Sequence, residues 1–195
     1  MQKNRSKTRI ITVTAMLIAI SVIIGIFCKN FLNFGAGPFA GLFRITFENL
    51  PIILAGILYG PIIGGVVGLA SDMISYLLSN QVYPPNLIVT LGAIMVGVIS
   101  GLVAKYLIKK KGSGQIIISG MLAHIVGSMI IKPIGLYQFY GMHVILRVPM
   151  YLLIAPLEIF LLCMLLKRKS FCRVIGYTRE DKPKNEKIYI RKKKS

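Results

Sequence analysis

Five ionisable side chains stand inside or at the rim of otherwise apolar stretches: Arg44, Glu48, Asp72, Lys132 and Arg147. A charge in such surroundings is costly unless it faces a polar cavity or a partner. Helical rise gives their depths. Arg44 and Glu48 fall at the start of one apolar segment and Asp72 near the middle of the next. Lys132 lies ~9 Å beyond the middle of a later segment, and Arg147 near the start of the last. With Lys29 they place four cations and two anions in one half of the molecule, a surplus that suits an anionic or zwitterionic solute. Packing explains some of them: Arg44 and Glu48 have the i, i+4 spacing of a helix-surface ion pair, and Lys132 and Arg147 are long enough to snorkel to headgroups. Neither device accounts for Asp72. Glu158 lies in the other half and is read as a structural contact within the helix bundle.

Catalytic patterns do not appear. The chain has no GxxxxGK[ST], so it does not hydrolyse ATP through a P-loop. Its serines lack a GxSxG elbow. His124 and His143 lack HExxH or any other metal-ligand spacing, and His124 is expected to be a hydrogen-bonded packing residue. Cys28, Cys163 and Cys172 are odd in number and form no CxxC, so neither a disulfide framework nor a metal centre is indicated. The expectation is a protein that is not an enzyme, with no catalytic residues, no cofactor and no metal.

The elements that must position these charges are membrane helices. Of 195 residues 55% are hydrophobic and only 15% charged, against roughly 25% charged in a soluble domain. Six segments approach the ~20 apolar residues needed to cross a bilayer: 10–28, 45–59, 61–78, 84–108, 115–137 and 144–166. The second is short and carries Pro51, so a kinked or stretched helix is expected. The fold class is thus all-α, a bundle of six transmembrane helices in a multi-pass membrane protein. No cleavable signal peptide is expected, because the first apolar run is long and further spans follow it.

Charge sets the orientation. Of the 24 Lys and Arg, 20 flank the spans on one side: the N-terminus, the connection around Lys109 to Lys111, and the tail from Lys167 onward. By the positive-inside rule both termini are cytoplasmic. Residues 1–170 form the membrane domain, and 171–195 read as a basic, disordered tail. Its cations suit anionic lipid headgroups better than nucleic acid, and the net charge of +18 is therefore not taken as a sign of nucleic-acid binding.

Small residues recur every four positions at Gly60, Gly64 and Gly68, at Ala93, Gly97 and Gly101, and at Ser119, Ala123 and Gly127. Such ladders let helices approach closely in lipid and are read as internal packing. Ala15 and Ala19 form a further small pair on the first segment.

The order of features then resembles a known family. A basic N-terminus precedes Ala15-Met-Leu-Ile-Ala19, followed by a Gly/Pro-rich loop, Asn33-Phe-Gly-Ala-Gly-Pro-Phe-Ala-Gly-Leu-Phe43. Next come Arg44-Ile-Thr-Phe-Glu-Asn-Leu-Pro51, Ala55-Gly-Ile-Leu-Tyr-Gly-Pro61 and Gly64-Gly-Val-Val-Gly-Leu-Ala-Ser-Asp72. This resembles the substrate-binding S component of energy-coupling factor (ECF) vitamin transporters, most closely the folate family, over about residues 8–170. Tyr83-Pro-Pro-Asn86 looks like the family's aromatic–Pro–Gly turn, with Pro85-Asn86 in place of the usual Gly-aromatic pair. Arg147 with Pro156-Leu-Glu158 looks like its sixth helix. Lys132-Pro133 stands where the family has Asn-Thr, and the chain has no Trp.

The resemblance implies a protein of the bacterial cytoplasmic membrane that captures a vitamin outside with high affinity. It then docks on a coupling transmembrane subunit served by two ATPase subunits and releases the vitamin inside. Under it Ala15 and Ala19 become the docking surface, and the loop of residues 30–43, with Gly35, Gly37, Pro38 and Gly41, becomes the gate. The expected substrate site comprises Arg44, Glu48, Asp72, Tyr83, Asn86, Lys132, Tyr137 and Arg147. Folate suits these residues: its two carboxylates match the cationic surplus, and Arg offers them a two-point contact. Its amino-pyrimidine edge presents N–H donors to Asp72 or Glu48. Tyr83, Tyr137, Phe139 and Tyr140 are available to flank the rings. Pantothenate also satisfies the charges but leaves the aromatic residues unused. A freestanding secondary transporter is the rival from another class, although no inverted repeat is found between residues 10–80 and 84–166. An accessory membrane protein is the third reading.

Overall fold

The computed structural model describes residues 2–32, 45–79, 85–108 and 112–168, together with Phe171, Cys172, Ile175 and Tyr177. Among them every regular element is helical. Helix α1 runs over Gln2–Phe31, α2 over Asn49–Tyr59, α3 over Pro61–Leu78 and α4 over Leu87–Leu102, the last extended by a π turn at Val103–Leu107. Helix α5, Ser113–Ala123, continues through a π-helical stretch, His124–Ile131, into α6, Lys132–Tyr140. A 3₁₀ segment, Gly141–Leu146, leads into α7, Arg147–Lys167.

Among the described residues five helical runs are long and apolar enough to cross a membrane: Lys7–Phe31, Pro61–Leu78, Leu87–Leu107, Ser113–Phe139 and Gly141–Lys167. The shortest, of 18 residues, covers ~27 Å at the α-helical rise. Large apolar side chains such as Ile62 and Leu87 are more than four-fifths exposed, as suits a surface that meets lipid. Polar side chains such as Asn49, Ser71, Ser75 and Lys132 turn inward instead.

The expected second span is revised. Its helix begins at Asn49, not Ile45, and its 11 residues cover only ~16 Å. Residues 45–47 are non-helical and Glu48 is the N-cap. Pro51 therefore sits in the first turn, where its missing N–H breaks no helical hydrogen bond, and no kink is needed to accommodate it. Arg44, the i, i+4 partner expected for Glu48, lies outside the described residues. Asn49 through Ile57 are all buried, so α2 lies at the centre of the bundle, ringed by α1, α3, α4, α5 and α7.

The glycine ladders act as packing devices. The chain turns from α2 into α3 at Gly60, whose φ of +93° is a conformation glycine adopts freely, and Pro61 starts the new helix. Along α3 and α4, Gly64 and Gly97 meet backbone to backbone, Gly68 meets Ala93, and Gly101 meets Pro61. The third ladder also closes on α4: Ser119 and Ala123 are fully buried, and a Cβ on Gly127 would stand 2.9 Å from the Gly92 carbonyl oxygen.

Contacts with the bundle also reach beyond residue 170. Ile175 and Tyr177 are buried in the main core. The Tyr59 hydroxyl donates to the Ile175 carbonyl at 3.4 Å, and the Tyr177 hydroxyl to Gln115 Oε1 at 3.3 Å. Packing against the bundle thus continues to Tyr177, and the rest of the basic tail lies outside the described residues.

Candidate functional site

Helix α3 carries Ser71, Ser75 and Ser79 four residues apart, hence on one face. Helix α1 answers with Ser21, Gly25 and Lys29 at the same spacing. The two stripes meet. Lys29 Nζ donates to the Ser75 carbonyl at 3.3 Å and to Ser79 Oγ at 3.2 Å, which sets a cation at the C-terminal end of α3, where the helix dipole favours it. A Cβ on Gly25 would stand 3.2 Å from both Glu48 Oε2 and Ser75 Oγ. Ser21 Oγ donates to the Glu48 carbonyl at 2.8 Å.

Beside this seam lies a cleft of about 190 Å³, including its open mouth, lined by Ser21, Glu48, Ile52, Ser71, Asp72, Ser75 and Ala93. Four helices and the residue that caps α2 build it. Two carboxylates and three hydroxyls face one apolar-backed space. Thr90 on α4 donates to Asp72 Oδ2 at 2.7 Å, fixing one carboxylate oxygen. Ser71 is 3% exposed, and its Oγ has no hydrogen-bond partner among the described residues.

Lys132 is tied to the cleft through Glu48, one of its walls. Its Nζ lies 3.0 Å from Asn49 Oδ1 and 3.4 Å from Glu48 Oε1, and Asn49 Nδ2 lies 3.4 Å from Ser128 Oγ. Lys132 is 4% exposed, so it does not snorkel to headgroups. The local cause is Pro133. It brings no N–H to the helix, and the preceding turns wind as a π-helix, a form that recurs at functional sites. Gly92 on α4 gives the lysine room: a Cβ there would stand 2.7 Å from Lys132 Cγ.

Of the residues expected in the site, Glu48, Asp72 and Lys132 are therefore brought to one region. Arg147 is 7% exposed at the first turn of α7 and, like Lys132, does not snorkel. Asn86 plays a structural part. Its Oδ1 accepts from the backbone N–H of Ile88 and Val89 at 2.9 and 3.4 Å, capping α4, while Nδ2 donates to the Gly135 carbonyl at 2.6 Å. Tyr137 is 55% exposed and does not line the cleft. Arg44, Tyr83 and the gate glycines Gly35, Gly37 and Gly41 with Pro38 lie outside the described residues.

Sequence reasoning missed Ser21, Gly25, Asn49, Ser71, Ser75 and Thr90. The matched four-residue spacing on segments one and three was the available signal. Glu158, set aside as structural, meets His124 with Oε2 and Nε2 2.7 Å apart, both side chains almost completely buried. This contact ties the π-helical stretch to α7. Among the described residues no group of three His, Cys, Asp or Glu is placed to hold a metal.

Residues 9–175 match the family described as ECF transporter, substrate-specific component. Among solved structures, the chain is similar to the crystal structure of FolT bound with folic acid, at 21% identity and a TM-score of 0.58, covering 89% of this chain and 96% of that one. It is equally similar in fold to the S component of a bacterial ECF transporter, at 20% identity and a TM-score of 0.58, covering 84% and 96%. At these identities the likeness is one of fold. A stretch of 111 residues, 54% of this chain, is 33% identical to the uncharacterised MG098 homolog of Mycoplasma pneumoniae, and spans 23% of that protein. The family consists of transporter subunits, not enzymes. With its match running from residue 9 to residue 175 and helices built to cross a bilayer, the chain belongs to the family of substrate-specific components of ECF transporters.

Proposed function

We propose that the chain binds a vitamin, folate, from the outer side of a bacterial cytoplasmic membrane and hands it to an ECF coupling subunit driven by two ATPases. The observation that carries this reading is the cleft itself: Glu48 and Asp72 face one space inside an apolar bundle, with Lys132 balancing Glu48. In this reading the carboxylates accept from the amino-pyrimidine edge of the pterin. Arg147 and Arg44 hold the glutamate carboxylates through charge-assisted hydrogen bonds, and Tyr83 flanks the ring head, while Tyr137, outside the cleft, is left to the tail. Asn86 contributes by holding the start of α4 against α6. In this reading the ring head enters at the cleft and the tail extends toward the loop of residues 30–43, the gate. Both termini face the cytoplasm, and Ala15 and Ala19, exposed on α1, form the docking face. The solved folate-bound neighbour supports folate over pantothenate.

The test is to purify the chain in detergent, denature it and identify the released small molecules by mass spectrometry, then titrate ligand-depleted protein with folic acid by calorimetry. Release of folate and saturable binding are expected, and Arg147→Ala should bind at least about 30-fold more weakly, the equivalent of ~2 kcal/mol for a lost charged partner. Release of a different vitamin with no response to folic acid would replace folate in this reading.

A further inference from the structure

Buried polar atoms in folded proteins almost always have a partner, and each exception calls for an explanation. Among the described residues Ser71 Oγ is such an exception. The cost is avoidable, since alanine would fill the same place on α3 with no hydroxyl to satisfy. Unlike Thr14 and Ser119, whose hydroxyls are also unpartnered among the described residues, Ser71 lines the cleft together with Glu48, Asp72, Ser21 and Ser75.

We propose that Ser71 is a ligand-binding residue whose hydroxyl is left unpaired in the protein so that it can bond the ligand's ring head. The residues around it define the chemistry of that head. Asp72 and Glu48 accept hydrogen bonds, so they take N–H donors. A serine hydroxyl also donates, so Ser71 takes a ring nitrogen or carbonyl oxygen beside those donors. The head is then a flat heterocycle with donors and an acceptor side by side on one edge. Gly25 lets α1 come close to Glu48 and Ser75, two walls of the cleft, since a Cβ there would stand 3.2 Å from each. This inference rests on the folate-binding reading and adds to it the residue that reads the acceptor on the head.

The experiment uses Ser71→Ala and Ser71→Thr in the full chain, with two measurements. The first is calorimetric titration with folic acid and with p-aminobenzoyl-glutamate, which has the tail of folate and no pterin. Ser71→Ala should weaken folic acid about tenfold, the size of one lost hydrogen bond, and leave the tail fragment unchanged. Ser71→Thr, which keeps the hydroxyl, should recover part of the loss. The second is the melting temperature without ligand. Since the hydroxyl has no partner to lose, Ser71→Ala should melt at the same temperature as the parent or higher. A lower melting temperature for Ser71→Ala shows a structural hydroxyl and overturns the proposal, as does unchanged folic acid affinity. A parent chain that ignores folic acid overturns the folate reading instead, and the melting temperature still decides the role of the hydroxyl.

Discussion

Lys132 shows how one residue can serve both the bundle and the site. Its ammonium lies between Glu48 and Asn49 with almost no access to water, so removing it strands a carboxylate on the wall of the cleft. Truncating one member of a buried pair costs about 3–5 kcal/mol, mostly from the charge left behind, whereas removing both charges is often neutral. Lys132→Met should therefore lose roughly that much stability, and Lys132→Met with Glu48→Gln should recover most of it. Denaturant unfolding in detergent measures both. Equal losses for the single and double variants would show that the contact has no energetic weight. Engagement of Lys132 with Glu48 takes one cation and one anion out of the count and leaves the surplus unchanged, which in the folate reading is met by the anionic tail.

At the scale of elements, α3 and α4 depend on the absence of side chains. Lipid gives helices no hydrophobic reason to associate, so close van der Waals contact and hydrogen bonds must hold them. Gly64 and Gly97 supply that contact. Gly64→Ala would set a methyl group against the backbone of Gly97 and of Gly56, and backbone cannot swing aside. Overpacking of this kind costs about 1–3 kcal/mol, so Gly64→Ala should melt several degrees lower. Gly114→Ala, where a Cβ meets nothing within 4 Å, should not. Equal melting of the two variants would show that the ladder does not hold α3 on α4. Because Asp72, Ser71 and Ser75 all ride on α3, a shift of this helix should also blunt ligand binding.

For the molecule as a whole, α1 is the element with two sides. Ser21, Gly25 and Lys29 face the seam with α3, while Ala15, Ala19, Ile23 and Phe27 are exposed. Residues 15 and 19 are one turn apart, and their small size allows a partner helix to reach the backbone. Ala15→Trp and Ala19→Trp should therefore leave folic acid binding in detergent intact and abolish both co-purification with the coupling subunit and ATP-driven uptake in vesicles. An exposed position can accept the ring without repacking, so the parent's melting temperature should be kept. Full uptake by both variants would move the docking surface elsewhere and favour a freestanding carrier.

Much of this protein was legible in the order of its residues, because a bilayer imposes simple rules. Long apolar runs become helices, since hydrocarbon leaves no other way to satisfy the backbone, and the four-residue glycine ladders appear in the structure as close helix contacts. A charged residue in an apolar run, such as Asp72 or Lys132, marks a polar interior. The extent of α2 was not legible: residues 45–47 extend the apolar run yet are non-helical, and Glu48 stands at the N-cap without a side-chain capping bond, its carboxylate meeting Lys132, 84 residues away. Nor was the inward course of Lys132, which depends on a π-helical stretch and on space left by Gly92 of another helix. The serines of the cleft are ordinary helix residues until α1 is laid against α3. Composition and periodicity are local properties and set the environment and the elements. Which polar atoms meet, and which one is left without a partner, depends on contacts between segments far apart in the chain, and only the tertiary structure decides them.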